Sequence, residues 1–175
     1  MEKKKELIIR HAIKSDAAVI CKYIRDLAAY ENELQYVHVT PERLEEHMFD
    51  KGGAKALIAE VDSKPVGFAL YHHSFSTFLG KPGIALVDLF IEPEYRNRGY
   101  GKAVLSRLAK IAADEGCERL EWWVHDWNQD AAKRYVSWGA QPIDNIRVYR
   151  LSEERLTAFA QTSGNNDTVG QSIEA

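Results

Sequence analysis

The chain begins with one strand-like run followed by two helical patterns. The run ELIIRHA, residues 6–12, is short and apolar, which predicts a first strand. Apolar residues then recur three and four positions apart, which predicts an amphipathic helix with Ser15 or Asp16 able to cap it. Thr40-Pro41-Glu42 predicts a second helix, because threonine caps, proline fits the first turn and an acid suits the positive helix end.

Three further strand-like runs occupy the middle of the chain. KALIAEVD and VGFALYHHS are joined at residues 62–65, and this spacing predicts an antiparallel hairpin. The segment FSTFLGKPG, rich in Phe, Ser and Gly, is predicted to be a loop that could cover a small site. IALVDLFIE is almost wholly apolar with one Asp inside it, which predicts a central strand buried on both faces.

The last third alternates helices and strands. A helical stripe is predicted after the third run, ending at Gly116, and RLEWWVH is the next strand. Asn128 is predicted to cap a short helix that ends at Gly139, before a last strand, IRVYRL, and a closing helix, SEERLTAFA. The order is strand, two helices, three strands, helix, strand, helix, strand. It predicts an α/β (α+β) protein with one parallel strand pair in a mostly antiparallel sheet.

Size, composition and charge exclude several function classes. A chain of 175 residues predicts a single domain over residues 1–160, and the polar segment 161–175 a flexible tail. A net charge of -3 is not the basic excess typical of nucleic-acid-binding proteins. No apolar run approaches a membrane span of ~20 residues. Cys21 and Cys117 lie far apart without metal-ligand spacing. We therefore expect a cytoplasmic protein with no metal, no nucleic-acid partner and no membrane partner.

The stretch EYRNRGYGKAVL, residues 94–105, places a basic, glycine-rich turn between a buried strand and a helix. Free N–H groups at a helix start attract anions, and glycine lets a ligand approach the backbone closely. Alternatively, the glycines only shape the turn and the arginines are solvated. The stretch contains neither a P-loop nor a dinucleotide motif, so we expect the pyrophosphate of another molecule.

Two motifs in this order resemble those of the GNAT acetyltransferase superfamily. LVDLFIEPEYRNRGYGKAVL resembles its acetyl-CoA-binding motif, with R-x-x-G-x-G as Arg96 to Gly101, and WNQDAAKRYVSWGA resembles its second signature. LAAYENE and AEVDSKPVGFALYHHSFSTFLGK are similar to the spermidine/spermine N-acetyltransferase branch. The resemblance implies the GNAT fold, with a splayed parallel strand pair flanked by helices, and a homodimer.

The resemblance also implies that acetyl-CoA is the acetyl donor. Backbone N–H groups from Asn97 to Lys102 would hold its pyrophosphate, and the strand Leu89-Phe90-Ile91 would pair with the pantetheine amides. The expected cofactor-binding residues are Leu89, Phe90, Ile91, Arg96, Asn97, Arg98, Gly99, Tyr100, Gly101, Lys102, Asn128, Asp130, Ala131 and Tyr135.

The expected catalytic residue is Tyr135, which stands where the family keeps its general acid. From its spacing alone, Tyr135 could equally pack on its helix. The sequence leaves the identity of the general base open, because relatives in the polyamine branch carry Glu where this chain has Val87. Asp88 could replace it, although strand alternation would turn Asp88 to the opposite face. Glu31, Glu121, a water chain, or an amine of depressed pKa are the alternatives.

The expected acceptor-binding residues are Tyr30, Glu31, Asp88, Glu121, Trp122 and Trp123, since carboxylates and aromatic faces both attract cations. Strand alternation allows only one of the two neighbouring tryptophans to line the site. The predicted activity is acetyl transfer from acetyl-CoA to a polyamine, diamine or lysine-like amine in a ternary complex. The alternatives are a protein lysine or N-terminal acetyltransferase, and a CoA-binding module without catalysis.

Overall fold

The computed structural model describes residues 6–162, and the chain divides between Arg134 and Tyr135 into two compact units. The single domain predicted for residues 1–160 stays a prediction. Of the predicted tail, Gln161 and Thr162 belong to the last helix, and residues 163–175 lie outside the described residues. No helix within residues 6–162 is long and apolar enough to cross a membrane.

The elements follow the predicted order, with one strand fewer. The strands are β1 (Leu7–His11), β2 (Lys55–Val61), β3 (Lys64–Ser76), β4 (Lys81–Ile91) and β5 (Leu120–Trp122). The α-helices are α1 (Ala17–Tyr30), α2 (Pro41–Leu44, continued by a π-helix over Glu45–Asp50), α3 (Tyr100–Asp114), α4 (Gln129–Ser137) and α5 (Glu153–Thr162).

The sheet has the order β1-β2-β3-β4-β5, in which only the β4–β5 pair is parallel. The predicted β2–β3 hairpin is confirmed. It turns through Asp62 and Ser63, whose φ angles of 53° and 63° suit a two-residue hairpin turn. The loop predicted for residues 75–83 is wrong for most of its length, because Ser76 pairs with Lys81 and the strands extend to a short turn.

The N-caps predicted for the first two helices have different outcomes. Thr40 Oγ1 accepts a hydrogen bond from the Arg43 N–H at 3.3 Å, which confirms the cap of α2. Asp16 stands at the N-cap position of α1 but makes no side-chain cap bond. Its carboxylate instead accepts from the Arg10 guanidinium at 2.7 and 2.9 Å. The ion pair joins the start of α1 to β1, and the same carboxylate accepts from the Ile13 N–H at 2.8 Å.

A core of aromatic and aliphatic side chains lies between α1, α2 and one face of the sheet. The Tyr23 ring lies 5.7 Å from the Phe68 ring and 5.6 Å from the Phe90 ring, between centroids. Ile20 and Ile58 are fully buried in the same cluster. This packing fixes the C-terminal end of α1 relative to the C-terminal half of β4.

A β-bulge in β4 breaks the strand alternation at the predicted site. Leu70 pairs with Asp88 while Tyr71 pairs with Leu86, so Val87 has no partner of its own on β3. Directly opposed residues share a face of the sheet, so Asp88 joins Leu70 on the α1 side while Leu86 lies on the other. The predicted strict alternation is therefore wrong here, and Val87 is 46% exposed rather than buried.

The parallel pair is short, and β4 continues beyond it. Only Ile84, Ala85 and Leu86 pair with β5, through Leu120, Glu121 and Trp122. The strand predicted for residues 119–125 is thus confirmed for Leu120–Trp122 only. From Val87 to Ile91, β4 has β3 on one side and, within residues 6–162, no strand on the other.

In the second unit, residues 135–162, the closing helix is confirmed as α5, but the strand predicted for IRVYRL is wrong. Ile146 and Val148 are 67% and 65% exposed, and residues 146–151 form no regular hydrogen-bonded structure. An alternating sequence becomes a strand only beside another strand, and none lies within the described part of this unit.

Candidate active site

The basic turn before α3 presents a row of unpaired backbone N–H groups. Asn97 and Gly99 adopt left-handed conformations with φ of 61° and 82°, and α3 begins at Tyr100. The N–H groups of Tyr95 and Arg96 donate backwards, and the first helical bond to Gly99 comes from Ala103. Within the described chain, the N–H groups of residues 97–102 donate to no protein acceptor. Such a row at a helix start suits an anion.

The two glycines of the turn serve different purposes. Gly99 has a positive φ that a side chain would strain. Gly101 has an ordinary φ, and a Cβ there would meet only Ile91 Cγ1 at 4.0 Å. The fold therefore does not require glycine at position 101. The missing side chain leaves open the space beside the N–H row that a ligand would fill.

The open edge of β4 offers backbone groups from alternate residues. The Glu92 N–H donates to Val66 O at 2.9 Å and therefore faces β3. By alternation, the backbone of Phe90 also faces β3, whereas that of Leu89 and Ile91 faces the open edge. The Phe90 side chain is 5% exposed and lies in the core. The geometry thus favours Leu89 and Ile91 over Phe90 for pairing with pantetheine.

Protein contacts hold the two arginines of the turn. Arg96 Nε donates to Ile91 O at 2.8 Å, and its guanidinium lies 5.2 Å from the Tyr30 ring centroid. Arg98 donates to Glu94 O at 3.0 Å and lies over the Tyr95 ring. Lys102 is exposed. Both arginines are thus anchored to the protein, and the backbone N–H row of residues 97–102 stays available for an anion.

The predicted cap of α4 is confirmed. Asn128 Oδ1 accepts from the Ala131 N–H at 3.3 Å, and Asp130 is exposed in the first turn. Arg134, on the same helix, donates to Asn97 Oδ1 at 3.2 Å. This hydrogen bond joins α4 to the turn at residues 97–102, and Asn128 and Asp130 belong to the same unit as that turn.

Asp88 is a half-buried carboxyl group on the α1 side of β4. Burial, and then the nearby charge of Glu31, raise its pKa to about 6. Burial and the like charge of Glu33 raise the pKa of Glu31, while His125 opposes them. A carboxylate of this pKa is a stronger base than an ordinary aspartate and is still mostly ionised at pH 7.

Aromatic rings surround Glu31 at the C-terminal end of α1. Tyr30 lies 5.8 Å from Trp127 between ring centroids, and His125 stacks on Trp127 at 5.7 Å. His125 Nε2 lies 3.9 Å from Glu31 Oε2. The sequence prediction missed both His125 and Trp127, because it placed His125 in a strand and considered Trp127 only as the neighbour of the Asn128 cap.

The other predicted acceptor residues do not join this cluster. Glu121 lies 2.9 Å from Arg119 Nε, so its carboxylate is already paired. Trp122 pairs with Leu86, which places it on the opposite face from Asp88. Trp123 lies just beyond β5 and is 63% exposed. Of the six predicted residues, Tyr30, Glu31 and Asp88 come together.

Tyr135 opens the second unit. Its ring contacts Trp138 edge-on at 5.8 Å, and its carbonyl accepts from the N–H groups of Trp138 and Ala140. Burial raises the pKa of its phenol. A phenol that keeps its proton can act as an acid or simply pack, so its catalytic role stays a prediction.

Folding brings together two groups of metal-type donors that sequence spacing did not reveal. Glu31, Glu33 and His125 have ligand atoms within 4.8 Å of one another, as do His73, Glu115 and Cys117. In the second group, His73 Nε2 hydrogen-bonds Glu115 at 2.6 Å. The expectation of no metal stays a prediction.

Comparison with known proteins identifies the family. Residues 22–140 match the Acetyltransferase (GNAT) family. The chain belongs to the GNAT family of acetyltransferases. It is accordingly an N-acetyltransferase, and its five-stranded sheet with one parallel pair is the GNAT fold.

Three similar proteins illustrate the match. This GNAT chain is 36% identical over 166 residues to thialysine N-epsilon-acetyltransferase of Bos taurus, covering 88% of the chain and 97% of the relative. It is 32% identical over 163 residues to spermidine/spermine N(1)-acetyltransferase-like protein 1 of Homo sapiens, covering 87% of the chain and 23% of that protein. The integron cassette protein VCH_CASS6 of V.cholerae superposes with a TM-score of 0.75 at 26% identity, covering 89% and 98%.

Proposed function

We propose that this GNAT enzyme transfers the acetyl group of acetyl-CoA to a primary amine of a small molecule, a polyamine, a diamine or a lysine-like amine, by direct transfer in a ternary complex. The observation that carries the proposal is the half-buried Asp88, whose pKa is raised by burial and by the charge of Glu31, next to the open edge of β4. The names of the relatives from Bos taurus and Homo sapiens support this acceptor class.

The first unit fits the donor along its whole length. The N–H groups of residues 97–102 suit a pyrophosphate, and the open edge at Leu89 and Ile91 suits the amides of a pantetheine arm. Asn128 and the N-terminal turn of α4 would flank the far side. Acetyl-CoA supplies a thioester, whose carbonyl the acceptor amine attacks.

Asp88 is the base in this proposal. As the acceptor nitrogen bonds to the acetyl carbon, it loses a proton to Asp88, directly or through water. As the carbon–sulfur bond breaks, the leaving thiolate takes a proton, and Tyr135 is proposed as its source. The bulge at Val87 supports this role, because it turns Asp88 to the side where Glu31 lies.

Glu31 is the proposed partner of a second positive charge on the acceptor. Its carboxylate lies 3.9 Å from His125, which stacks on Trp127, and Trp127 contacts Tyr30; a cation gains from both a carboxylate and aromatic faces. Diamines, polyamines and lysine-like amines all carry such a charge, whereas simple monoamines do not. We therefore expect monoamines to be poor acceptors.

The test is a panel of acceptors assayed with acetyl-CoA for thiol release. The panel holds putrescine, spermidine, lysine, thialysine, the monoamine butylamine and a lysine peptide. Turnover with the first four, above that with butylamine and the peptide, supports the proposal. Turnover with the peptide alone supports a protein acetyltransferase. Acetyl-CoA binding without turnover on any amine supports a CoA-binding module.

Two further properties complete the proposal, namely a homodimer and a cytoplasmic location. The tip of the β3–β4 hairpin exposes Phe75 and Phe78 at 62% and 101%, which is apolar surface that a second copy could cover. Light scattering on the wild type and on a Phe78→Ser variant tests the dimer. A monomeric wild type would contradict it.

A further inference from the structure

An imidazole that a site for polycations does not need lies beside the end of α1. His125 Nε2 lies 3.9 Å from Glu31 Oε2, and the ring stacks on Trp127 at an interplanar angle of 16°. Carboxylates and aromatic faces suffice to bind a polyamine. An imidazole beside them fills space that a cation would otherwise occupy. It also adds an N–H group that can donate a hydrogen bond to an anion.

Arg96 adds a cation near the same cluster. Its guanidinium lies over Tyr30, and Nε is held by Ile91 O. Within residues 6–162, its terminal nitrogens donate to no protein acceptor. Tyr30 therefore lies between Arg96 on one side and Trp127, with its stacked His125, on another. The cluster thus combines carboxylates, aromatic rings and two donors for an anion.

We infer that Glu31 and His125 form a headgroup subsite that reads the α-ammonium and the α-carboxylate of an amino-acid acceptor, whose side-chain amine reaches Asp88. This inference rests on the proposed function and selects one acceptor class from it. Glu31 takes the ammonium and His125 donates to the carboxylate. Asp88 lies opposite Leu70 on the face of the sheet that α1 covers, and α1 ends beside Glu31, so the acceptor would run from the end of α1 towards β4.

The inference makes His125 a specificity-determining residue. A decarboxylated acceptor keeps both nitrogens but leaves the His125 donor without a partner. A hydrogen bond to a charged group is worth enough that losing it lowers kcat/KM roughly tenfold or more. The effect should appear mainly in KM, because the headgroup lies away from the reacting nitrogen.

The test uses acceptors that differ by one carboxylate, namely lysine against cadaverine and ornithine against putrescine. The ratio of kcat/KM within each pair is measured for wild type, His125→Ala, His125→Gln and Asp126→Ala. Wild type should favour the amino acids. His125→Ala should reduce the ratio roughly tenfold or more, and His125→Gln, which keeps a donor, should restore part of it. Asp126→Ala is the matched control at an exposed neighbour and should keep the wild-type ratio.

Three outcomes would overturn the inference. They are a wild type that prefers the diamines, a His125→Ala ratio equal to that of wild type (including an equal loss on both members of each pair), and loss of the preference in EDTA. The last would make a metal held by Glu31, Glu33 and His125 the reader of the carboxylate. Absence of turnover with all four amines would instead reject the proposed function, so the two failures are distinguishable.

Discussion

Asp88→Asn should stabilise the protein while removing most of its activity. The fold raises the pKa of Asp88 from 3.8 to about 6, so the folded state disfavours the ionised carboxylate. Each pKa unit corresponds to ~1.4 kcal/mol, which makes the cost about 3 kcal/mol when the carboxylate is fully ionised. Asparagine has nearly the same shape and cannot ionise, so the substitution removes this cost.

The sign of the effect follows from linkage. A raised carboxyl pKa destabilises the fold above the folded pKa, and this loss disappears as pH falls towards the unfolded pKa of 3.8. The advantage of Asp88→Asn should therefore be about 3 kcal/mol at pH 8 and about half of that at pH 5. Urea unfolding at both pH values, with exposed Asp126→Asn as the control, measures it.

The activity of the same variant tests the catalytic role. General-base catalysis contributes roughly 10²–10⁴-fold, so kcat of Asp88→Asn should fall within that range. In wild type, kcat/KM should rise with pH through an apparent pKa near 6. The pH profile of the variant should lack this rise, which is the acidic limb of the profile. A variant that is no more stable at pH 8, or that keeps half of its kcat, would refute the reasoning.

Three further predictions concern other parts of the site. Glu31→Gln removes the like charge beside Asp88, so the acidic limb of the kcat/KM profile should move to lower pH; an unmoved limb would count against their coupling. Gly99→Ala strains a backbone with φ of 82°, so it should lower the free energy of unfolding in urea by about 1 kcal/mol. It should also weaken acetyl-CoA binding measured by calorimetry, and unchanged binding would argue against an anion site at this turn. Tyr135→Phe should lose kcat but keep acetyl-CoA binding, and full turnover would show that Tyr135 only packs.

The sequence predicted most of the fold because most of its elements are specified locally. Thr40 with Pro41 begins α2, and Asn128 begins α4, since each cap needs only neighbours along the chain. The turn from Asn97 to Lys102 is likewise local, because adjacent residues supply its N–H row. The strand predicted for IRVYRL failed because a strand needs a partner that its own residues do not supply.

By itself, the sequence determined the family, the element order and the residues of the turn from Asn97 to Lys102. Only the tertiary structure decided which carboxylate can act as a base and what surrounds the acceptor. One extra residue at Val87 turns Asp88 towards Glu31, and the folded chain sets His125 and Trp127 beside the end of α1. Strand register and contacts between distant segments depend on packing, and no periodicity along the chain records them.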